Sequence, residues 1–238
     1  ATTKYEVYHP NGTLLLTGVL SESGTAGYYW LYLNSTWFVN ESNRDLGMYR
    51  IAVYFSKTHF ESQSIDIYWT IEEVRTMAYA QPESLNVTWG YTATVDLYYI
   101  RSRDNVFVRD ASWTISVSPV NKTEAFAISV AADRFVMTIN STLLNDTWTY
   151  TVDVTFSRLF YKSQTVSVSV YVAPIPTQLM ASATTLTTEW GLDINVTFWY
   201  NRTDKAAPEG IAGATTKYEV YHPNGTLLLT GVLSESGT

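Results

Sequence analysis

The feature that most constrains this chain is an internal repeat without a single difference. Residues 1–25 read ATTKYEVYHPNGTLLLTGVLSESGT, and residues 214–238 read the same, letter for letter. Identity of this length at a spacing of 213 residues is typical of proteins that copy one structural unit along the chain. The sequence therefore predicts a little more than one period of a longer array.

The repeated segment predicts a β-hairpin. Two runs in which apolar and polar residues alternate flank the tetrapeptide His9-Pro10-Asn11-Gly12. Asn and Gly tolerate a positive φ angle, so Asn-Gly between two such runs favours a tight turn. Each period is thus marked by a hairpin, and the turn of that hairpin is also the glycosylation sequon Asn11-Gly12-Thr13.

A second, diverged period of 101 residues lies inside the first. The run LNVTWG at 85–90 returns as LTTEWG at 186–191, and the run SQSIDI at 62–67 returns as SQTVSV at 163–168. The 213-residue unit therefore contains two related domains, one of about 101 residues and the other of about 112.

We place the domain boundaries at short linkers near residues 75 and 176. The second linker, Ala173-Pro174-Ile175-Pro176, is stiff because proline fixes its own φ angle and keeps the preceding residue extended. The chain then consists of three segments: 1–75, an Ig-like domain without its first strands; 76–176, a complete Ig-like domain; and 177–238, the N-terminal part of the next domain.

Strand alternation places both domains in the all-β class. Between residues 76 and 176, about seven runs alternate apolar and polar residues, with no helical periodicity between them. The clearest pair of runs, 101 residues apart, is Ala93, Val95, Leu97 and Tyr99 with Leu192, Ile194, Val196, Phe198 and Tyr200. The pattern predicts tandem Ig-like β-sandwich domains in line, built from antiparallel sheets.

The first domain needs strands that its own residues lack. Residues 1–75 contain no counterpart of the run at 192–200, so we expect the core face of the run at 49–55 to lie partly bare. The missing strands can come from the preceding unit of a continuous polypeptide or from a subunit that exchanges strands. The duplicated hairpin favours the continuous array, because exchanging subunits would not need both copies. Either source predicts the same packing between copies: Leu192, Ile194, Val196 and Phe198 against Ile51 and Val53.

Composition excludes several classes of protein. The chain has no cysteine, which excludes a disulfide framework, a thiolate metal site and a thiol nucleophile. Its net charge of −7 argues against a nucleic-acid partner and against electrostatic binding to a membrane, since both need a basic face. No apolar run reaches the roughly 20 residues of a membrane-spanning helix.

Asparagine usage is the strongest local signal. Ten of the twelve asparagines stand in Asn-X-Ser/Thr sequons, although 54 serines and threonines in 238 residues would give about three by chance. The predicted glycosylation sites are Asn11, Asn34, Asn40, Asn86, Asn121, Asn140, Asn145, Asn195, Asn201 and Asn224.

Three pairs of sequons are expected at equivalent places in the two kinds of domain. These are Asn11 and Asn121 in one hairpin, Asn34 and Asn140 after one strand, and Asn40 and Asn145 in the loop that follows. Asn195 falls on the polar phase of its predicted strand. N-linked glycans at these places would cover the sandwich and protect its edges from pairing.

The sequence contains no catalytic constellation. No Ser/His/Asp order repeats between the two domains, no paired carboxylates lie at strand ends in both of them, and there is no phosphate-binding loop. His9 and His222 occupy the same turn of the repeat, where we expect a solvated side chain, and His59 matches Phe160 of the other domain. We therefore predict that the chain is not an enzyme.

No cofactor or metal site is predicted either. Asp96, Asp104 and Asp110 could flank a calcium ion, but no dense Asp-X-Asp loop accompanies them. The only non-protein groups that the sequence supports are the N-linked glycans.

Five aromatic residues stand at positions that fit either ligand binding or packing. Tyr98, Trp199 and Tyr171 fall on the polar phase of their strands, where they can stack on a sugar, form an interface or pack under a neighbouring domain. Trp89 and Trp190 each precede a glycine at a domain entry, and we expect them to pack in the core or at the linker.

Several short motifs follow one another in the order found in one known family. They are Trp-Gly before an alternating strand, Ile211-Ala212-Gly213-Ala214 before the hairpin, Gly27-Tyr28-Tyr29 after it, then Leu46-Gly47-Met48-Tyr49-Arg50-Ile51-Ala52-Val53, a Ser-Lys corner and a Gln-Ser-Ile strand. In this order they resemble the tandem Ig-like repeats of very large archaeal cell-surface proteins. The resemblance covers the whole chain and implies an extracellular, N-glycosylated filament, surface-layer component or adhesin stalk. The density of sequons favours an archaeal surface over a bacterial one.

Three functions remain open from the sequence. The first is a structural role, a fibre, surface-layer element or stalk at the cell surface whose partners are neighbouring copies of the repeat. The second is an adhesin that binds a carbohydrate or a protein through exposed loops or aromatics. The third is a filament subunit that exchanges donor strands with its neighbours.

Overall fold

The computed structural model describes residues 1–39, 46–144 and 147–235. Within these ranges the chain is all-β, as the alternation predicts. Its helical structure there is limited to one four-residue α-helix and two three-residue 3₁₀ helices. Among the described residues, no helix is long and apolar enough to cross a membrane.

Residues 1–71 form a four-stranded antiparallel sheet and a small hairpin. The elements are β1 (Thr2–Tyr8), β2 (Leu14–Gly18), β3 (Ser21–Glu22), β4 (Tyr29–Trp30), α1 (Ser35–Phe38), β5 (Gly47–Lys57) and β6 (Phe60–Ile71). The sheet has the strand order β2-β1-β5-β6, which leaves β6 at an edge, while β3 pairs with β4.

Residues 76–173 form two four-stranded sheets. The strands are β7 (Thr76–Gln81), β8 (Ser84–Thr88), β9 (Thr92–Arg101), β10 (Ser112–Ser118), β11 (Phe126–Val130), β12 (Phe135–Asn140), β13 (Thr149–Arg158) and β14 (Tyr161–Ala173). One sheet has the order β10-β13-β14-β8 and the other β11-β12-β9-β7. All pairs are antiparallel except β14 with β8, which run parallel.

The two sheets of residues 76–173 pack on each other through a closed apolar core. The ring of Phe156 on β13 stacks on Tyr99 of β9 at 5.5 Å and on Phe135 of β12 at 4.8 Å between centroids. All three side chains are fully buried. Alternating inward residues from both sheets meet in this one cluster, which is the arrangement of an Ig-like sandwich.

The core of residues 1–71 is closed differently from our expectation. Ile51 and Val53, expected to be partly bare, are only 4% and 5% exposed. The expectation was wrong because residues 19–39 fold over this face, and Leu31 and Phe38 pack against it. The exposed apolar surface lies one strand further along, on β6.

The last part of the chain forms two small sheets. Its strands are β15 (Thr177–Ala181), β16 (Phe198–Arg202), β17 (Glu209–Gly210), β18 (Tyr218–Tyr221) and β19 (Leu227–Gly231). The strand expected over 192–200 is therefore only partly formed. In the complete sandwich, β9 is paired along both edges, by β7 and β12. Among the described residues, β16 has β15 on one side and only the two residues of β17 on the other, so 192–197 lack a ladder to join.

Backbone hydrogen bonds connect the first two sheet systems. Between them, the Val74 amide donates to the Phe160 carbonyl at 2.8 Å, and the Lys162 amide donates to the Val74 carbonyl at 3.0 Å. The linker is thereby held against the hairpin that joins β13 to β14. The division of the chain into 1–75, 76–176 and 177–238 stays a prediction.

Candidate functional site

Three sequons close the same hydrogen-bonded turn. Oδ1 of Asn34 accepts from the Thr36 amide at 3.0 Å and from the Thr36 hydroxyl at 2.9 Å. The corresponding distances are 3.1 and 2.7 Å between Asn140 and Thr142, and 3.0 and 2.8 Å between Asn11 and Thr13. This is an Asx turn, which uses the asparagine carbonyl and the threonine two residues later. The residues that define the sequon thus also satisfy a structural requirement.

Asn34 and Asn140 share a further role as helix N-caps. Asn34 caps α1, and Asn140 caps the 3₁₀ helix Ser141–Leu143. An N-cap of this kind contributes about 1 kcal/mol, because it satisfies an amide that the helix leaves unpaired. In both turns the asparagine accepts through Oδ1, which leaves Nδ2, the atom that carries an N-linked glycan, out of the turn.

The remaining sequons are accessible but less regular. None of the eight described sequon asparagines is buried: Asn34, Asn140 and Asn201 are half-buried, and the other five are exposed. Asn86 lies on β8, Asn201 on β16, and Asn195 in the segment before β16 that forms no strand. Asn224 repeats the turn of Asn11, with its Oδ1 3.0 Å from the Thr226 amide. Asn40 and Asn145 lie outside the described residues.

One expected equivalence between sequons is wrong. Asn11 occupies the turn of the β1–β2 hairpin, whereas Asn121 follows β10 and precedes the 3₁₀ helix Thr123–Ala125. The chain does not turn back at Asn121 because β10 and β11 belong to different sheets. Asn121 is nevertheless exposed.

The histidines occupy structural positions. His9, expected to be solvated, is 6% exposed, and its ring meets the edge of Tyr49 with centroids 5.6 Å apart. Its identical copy His222 is exposed. His59 and its counterpart Phe160 both adopt a positive φ, 69° and 66°, in the turns before β6 and β14. The two domains therefore use the same turn.

The three aspartates considered for calcium each lie beside an arginine. Asp96 is 3.0 Å from Arg134, Asp104 is 3.0 Å from Arg101, and Asp110 is 3.5 Å from Arg158. Within the described ranges, no group of three or more His, Asp or Glu side chains could hold a metal ion.

The singled-out aromatics differ in their surroundings. The ring of Tyr98 stacks on Tyr79 at 4.7 Å, so it is half-buried. Trp199 and Tyr171 are 45% and 41% exposed. Trp89 and Trp190, which correspond in the sequence, have different surroundings. The indole nitrogen of Trp89 donates to the Leu144 carbonyl at 3.2 Å, whereas Trp190 is fully exposed.

The residues predicted to pack between copies are not brought together within one chain. Ile51 and Val53 are buried in the first core, while Leu192, Ile194 and Phe198 are 63%, 46% and 44% exposed. Beside Ile51 and Val53 in the sheet, Ile67 and Ile65 of β6 are 46% and 60% exposed. Sequence reasoning missed these two isoleucines, although they alternate in the run SQSIDI.

A polar cluster that the sequence did not reveal joins the complete sandwich to β16. The Arg202 guanidinium donates two hydrogen bonds to the Asp204 carboxylate, at 2.7 and 2.6 Å. The Tyr91 hydroxyl donates to the same carboxylate at 2.6 Å. These donors, the arginine first, hold the pKa of Asp204 far below its ordinary value. Tyr91 and Asp204 are 113 positions apart in the sequence, so no local pattern predicts their contact.

The sequence of this chain matches no known protein family. No protein-family model and no curated protein matches the chain. Among solved structures, it is similar to domains 1–6 of the surface layer protein SbsC, with 12% identity and a TM-score of 0.35 over 97% of this chain and 28% of that one. It is similar to the adhesin InvE of Yersinia pseudotuberculosis, with 16% identity and a TM-score of 0.34 over 68% of this chain and 43% of that one.

A third similar structure contains domains 4 and 5 of the S-layer protein SbsC. The identity is 17% and the TM-score 0.33, over 71% of this chain and 90% of that one. This chain thus spans less than half the length of the first two structures.

Proposed function

We propose that this chain is part of an extracellular, N-glycosylated repeat protein that forms a fibre, a surface-layer element or a stalk, and that it is not an enzyme. The observation that carries the proposal is that the unit repeated without change carries its own sequon. Asn11 and Asn224 accept from the threonine two residues later at the same distance, 3.0 Å, in both copies. Copying this unit extends the chain and repeats its modification site at a fixed interval.

The reuse of Asn34 and Asn140 supports glycosylation. Both cap a short helix, and both retain Nδ2 for a sugar because only Oδ1 takes part in the turn. Glycans at these two places would lie at the same end of each kind of domain. Such bulk would hinder proteases and edge-to-edge pairing of sheets.

Glycopeptide mass spectrometry of native material tests this proposal. We expect glycans on most of the sequons, first on Asn34 and Asn140. Asn105, outside any sequon, is an internal control and should stay unmodified. Bare asparagine at both Asn34 and Asn140 would overturn the glycosylated role.

A matched pair of variants separates the modification from the turn. Asn140→Asp keeps an acceptor oxygen for the Thr142 amide but cannot carry an N-linked glycan, whereas Asn140→Ala removes both. In material without glycans, the first variant should be as stable as the original chain and the second less stable by about 1 kcal/mol. In the native host, both should lose the glycan at this site.

Electron microscopy of the intact particle distinguishes the structural role from an adhesin. End-to-end filaments or a regular coat are expected for the first, and isolated stalks with a distinct tip for the second. The exposed Trp199 and Tyr171 favour the adhesin as a second candidate. Quenching of tryptophan fluorescence by a sugar, lost in Trp199→Ala, would support it.

A further inference from the structure

We propose that residues 177–213 of a second copy of this chain complete the sandwich of residues 1–71 by covering its exposed strand, β6. This inference rests on the proposed repeat role and names the surfaces that join successive copies. We call residues 177–213 the donor segment. We call the free edge of β6, together with Ile65 and Ile67, the acceptor face.

The complete sandwich shows what the acceptor face lacks. Val166 and Val168 of β14, the counterparts of Ile65 and Ile67 at an offset of 101, are 7% and 0% exposed because they join the core beneath the second sheet. The outer edge of β14 is paired in parallel with β8. In the described part of residues 1–71, β6 has neither partner, and its two isoleucines are 60% and 46% exposed.

The donor segment already has the register of the missing sheet. In the complete sandwich β7 pairs with β9 so that Thr76 lies opposite Arg101 and Ala80 opposite Leu97. In the donor segment β15 pairs with β16 so that Thr177 lies opposite Arg202 and Ala181 opposite Phe198. Every one of these positions is displaced by 101. Two strands of the missing sheet are therefore paired correctly before any copy is engaged, and Phe198 remains exposed.

The acceptor face has the matching register. Val53 lies opposite Ile65 and Ile51 opposite Ile67, as Val154 lies opposite Val166 and Val152 opposite Val168 in the complete sandwich. Side chains on directly opposed residues point to the same face of a sheet. The acceptor face thus presents an apolar row at the position that the sheet β11-β12-β9-β7 covers in the complete sandwich.

The residue types that make polar contacts between the two sheets also recur in the donor segment and on β6. In the complete sandwich, the Tyr99 hydroxyl donates to the Lys162 carbonyl at 2.9 Å, and Gln164 Nε2 donates to the Thr76 carbonyl at 3.1 Å. The residues 101 positions away are of the same type: Tyr200 and Thr177 in the donor segment and Gln63 on β6. Exposure to solvent does not require these three residue types at these positions, whereas contact with a second sheet does.

Ser35 and Trp190 extend the match to the other end of the sandwich. Ser141 is fully buried and its hydroxyl accepts from the Tyr91 amide at 3.1 Å, whereas its counterpart Ser35 is exposed. Trp190, the counterpart of Trp89, is fully exposed. Ser35 and Ser141 are 106 positions apart, so Leu144 corresponds to Phe38 in the first domain. We therefore expect the Trp190 indole nitrogen to donate to the Phe38 carbonyl of the second copy, as Trp89 donates to the Leu144 carbonyl.

The correspondence fixes a parallel register between the copies. Ser169 to Ala173 of β14 pair with Ser84 to Thr88 of β8. The corresponding residues lie 101 positions earlier on β6 and 101 positions later in the donor segment. Thr70 of one copy therefore lies next to Thr187 of the other, and Trp69 lies next to Leu186. Because every copy has one acceptor face and one donor segment, the contact is heterologous and adds copies head to tail.

Disulfide trapping tests this register in the full 238-residue chain, which has no native cysteine. Thr70→Cys and Thr187→Cys are made in separate chains of different mass, and the two are mixed and oxidised. Neighbouring strand positions lie within the 4.4–6.8 Å between Cα atoms that a disulfide requires. Thr188→Cys is the matched control, because a shift of one residue turns the side chain to the opposite face.

We expect the Thr70→Cys and Thr187→Cys mixture to yield the mixed disulfide at least about tenfold faster than the control mixture. Ile67→Asp in the Thr70→Cys chain should reduce the yield to the control level, with an unchanged far-ultraviolet circular dichroism spectrum, since Ile67 is already 46% exposed. Equal rates in the two mixtures, or a chain that stays monomeric by sedimentation at several hundred micromolar, would overturn the proposal. Either failure would leave the glycopeptide result untouched, so the two proposals can fail separately.

Discussion

The same 25 residues fold in two settings within one chain. In both copies Tyr and Gly, Glu and Thr, and Val and Leu face each other in the same order, and the turn is closed by a hydrogen bond from the histidine amide, at 2.9 Å from His9 and 2.8 Å from His222. Yet β1 spans seven residues and β18 only four. Val7 is fully buried while its copy Val220 is 44% exposed.

The difference separates local from tertiary causes. The four residues of β18 are those that pair with β19, and the three additional residues of β1, Thr2 to Lys4, pair only with β5. The hairpin is thus specified by its own sequence, whereas strand length and burial come from β5. In the second copy, no described strand takes the place of β5.

Introducing a charge at the buried valine should give the largest contrast between the copies. Val7→Asp places a carboxylate in a fully buried site, and we expect it to lower the free energy of unfolding of residues 1–71 by about 3 kcal/mol or more. Val220→Asp should change it by less than about 0.5 kcal/mol. Native-state hydrogen exchange of the β5 amides provides the measurement for that region. Equal effects of the two variants would show that the second copy is packed as tightly as the first.

A smaller contrast is expected at the glycine beneath a tyrosine ring. A Cβ on Gly18 would lie 2.7 Å from the Tyr5 ring, and one on Gly231 would lie 2.7 Å from the Tyr218 ring. Tyr5 packs against the first core and cannot move freely, so Gly18→Ala should cost about 1–2 kcal/mol. Tyr218 has no such core around it in the described chain, and Gly231→Ala should be nearly neutral. Thermal unfolding followed by tyrosine fluorescence checks the pair.

Features set by alternation could be predicted from the sequence. The runs at 93–99 and 150–156 form β9 and β13, because residues two apart share a face wherever one face is buried. The turn at Asn11 could also be predicted, since Asn-Gly favours it locally. For the same reason, the Asx turns at Asn34 and Asn140 are implicit in their Asn-Ser-Thr sequence.

Features set by distant contacts could not be predicted. His9 looks like a solvated turn residue, and its burial depends on Tyr49, which is 40 residues away. Ile51 was expected to be partly bare because residues 1–75 lack a counterpart of the run at 192–200, and alternation alone does not show which other segment covers the face. Leu31 and Leu33, two residues apart in the covering segment, were a usable signal for that cover. The Tyr91–Asp204 contact had no signal at all.

The turn glycines should show equal effects in both copies. Gly12 and Gly225 have φ angles of 86° and 87°, and a Cβ on either would meet nothing within 4 Å. Gly→Ala should therefore cost only the backbone strain of a left-handed residue, about 1 kcal/mol, at both sites. The populations of the two hairpins, measured by nuclear magnetic resonance, should fall by similar factors. A clearly larger loss in the first copy would mean that β5 constrains the turn as well as the strand.

The smallest effect is expected at Asp204, which helps to attach the segment before the second hairpin to the complete sandwich. Its pKa is lowered by Arg202 first and then by Tyr91, so its contribution is fully present above the unfolded pKa of about 3.9 and declines as the pH falls below that value. Asp204→Asn keeps the size of the side chain and removes the charge. Hydrogen exchange of the Thr203 amide, which donates to the Pro176 carbonyl at 2.9 Å, should be slower in the original chain than in the variant at pH 6. That advantage should shrink steadily below about pH 4, because the carboxyl then binds a proton in the unfolded state that it must release on folding. An advantage independent of pH would mean that shape, and not the Arg202–Asp204–Tyr91 charge cluster, holds the segment to the sandwich.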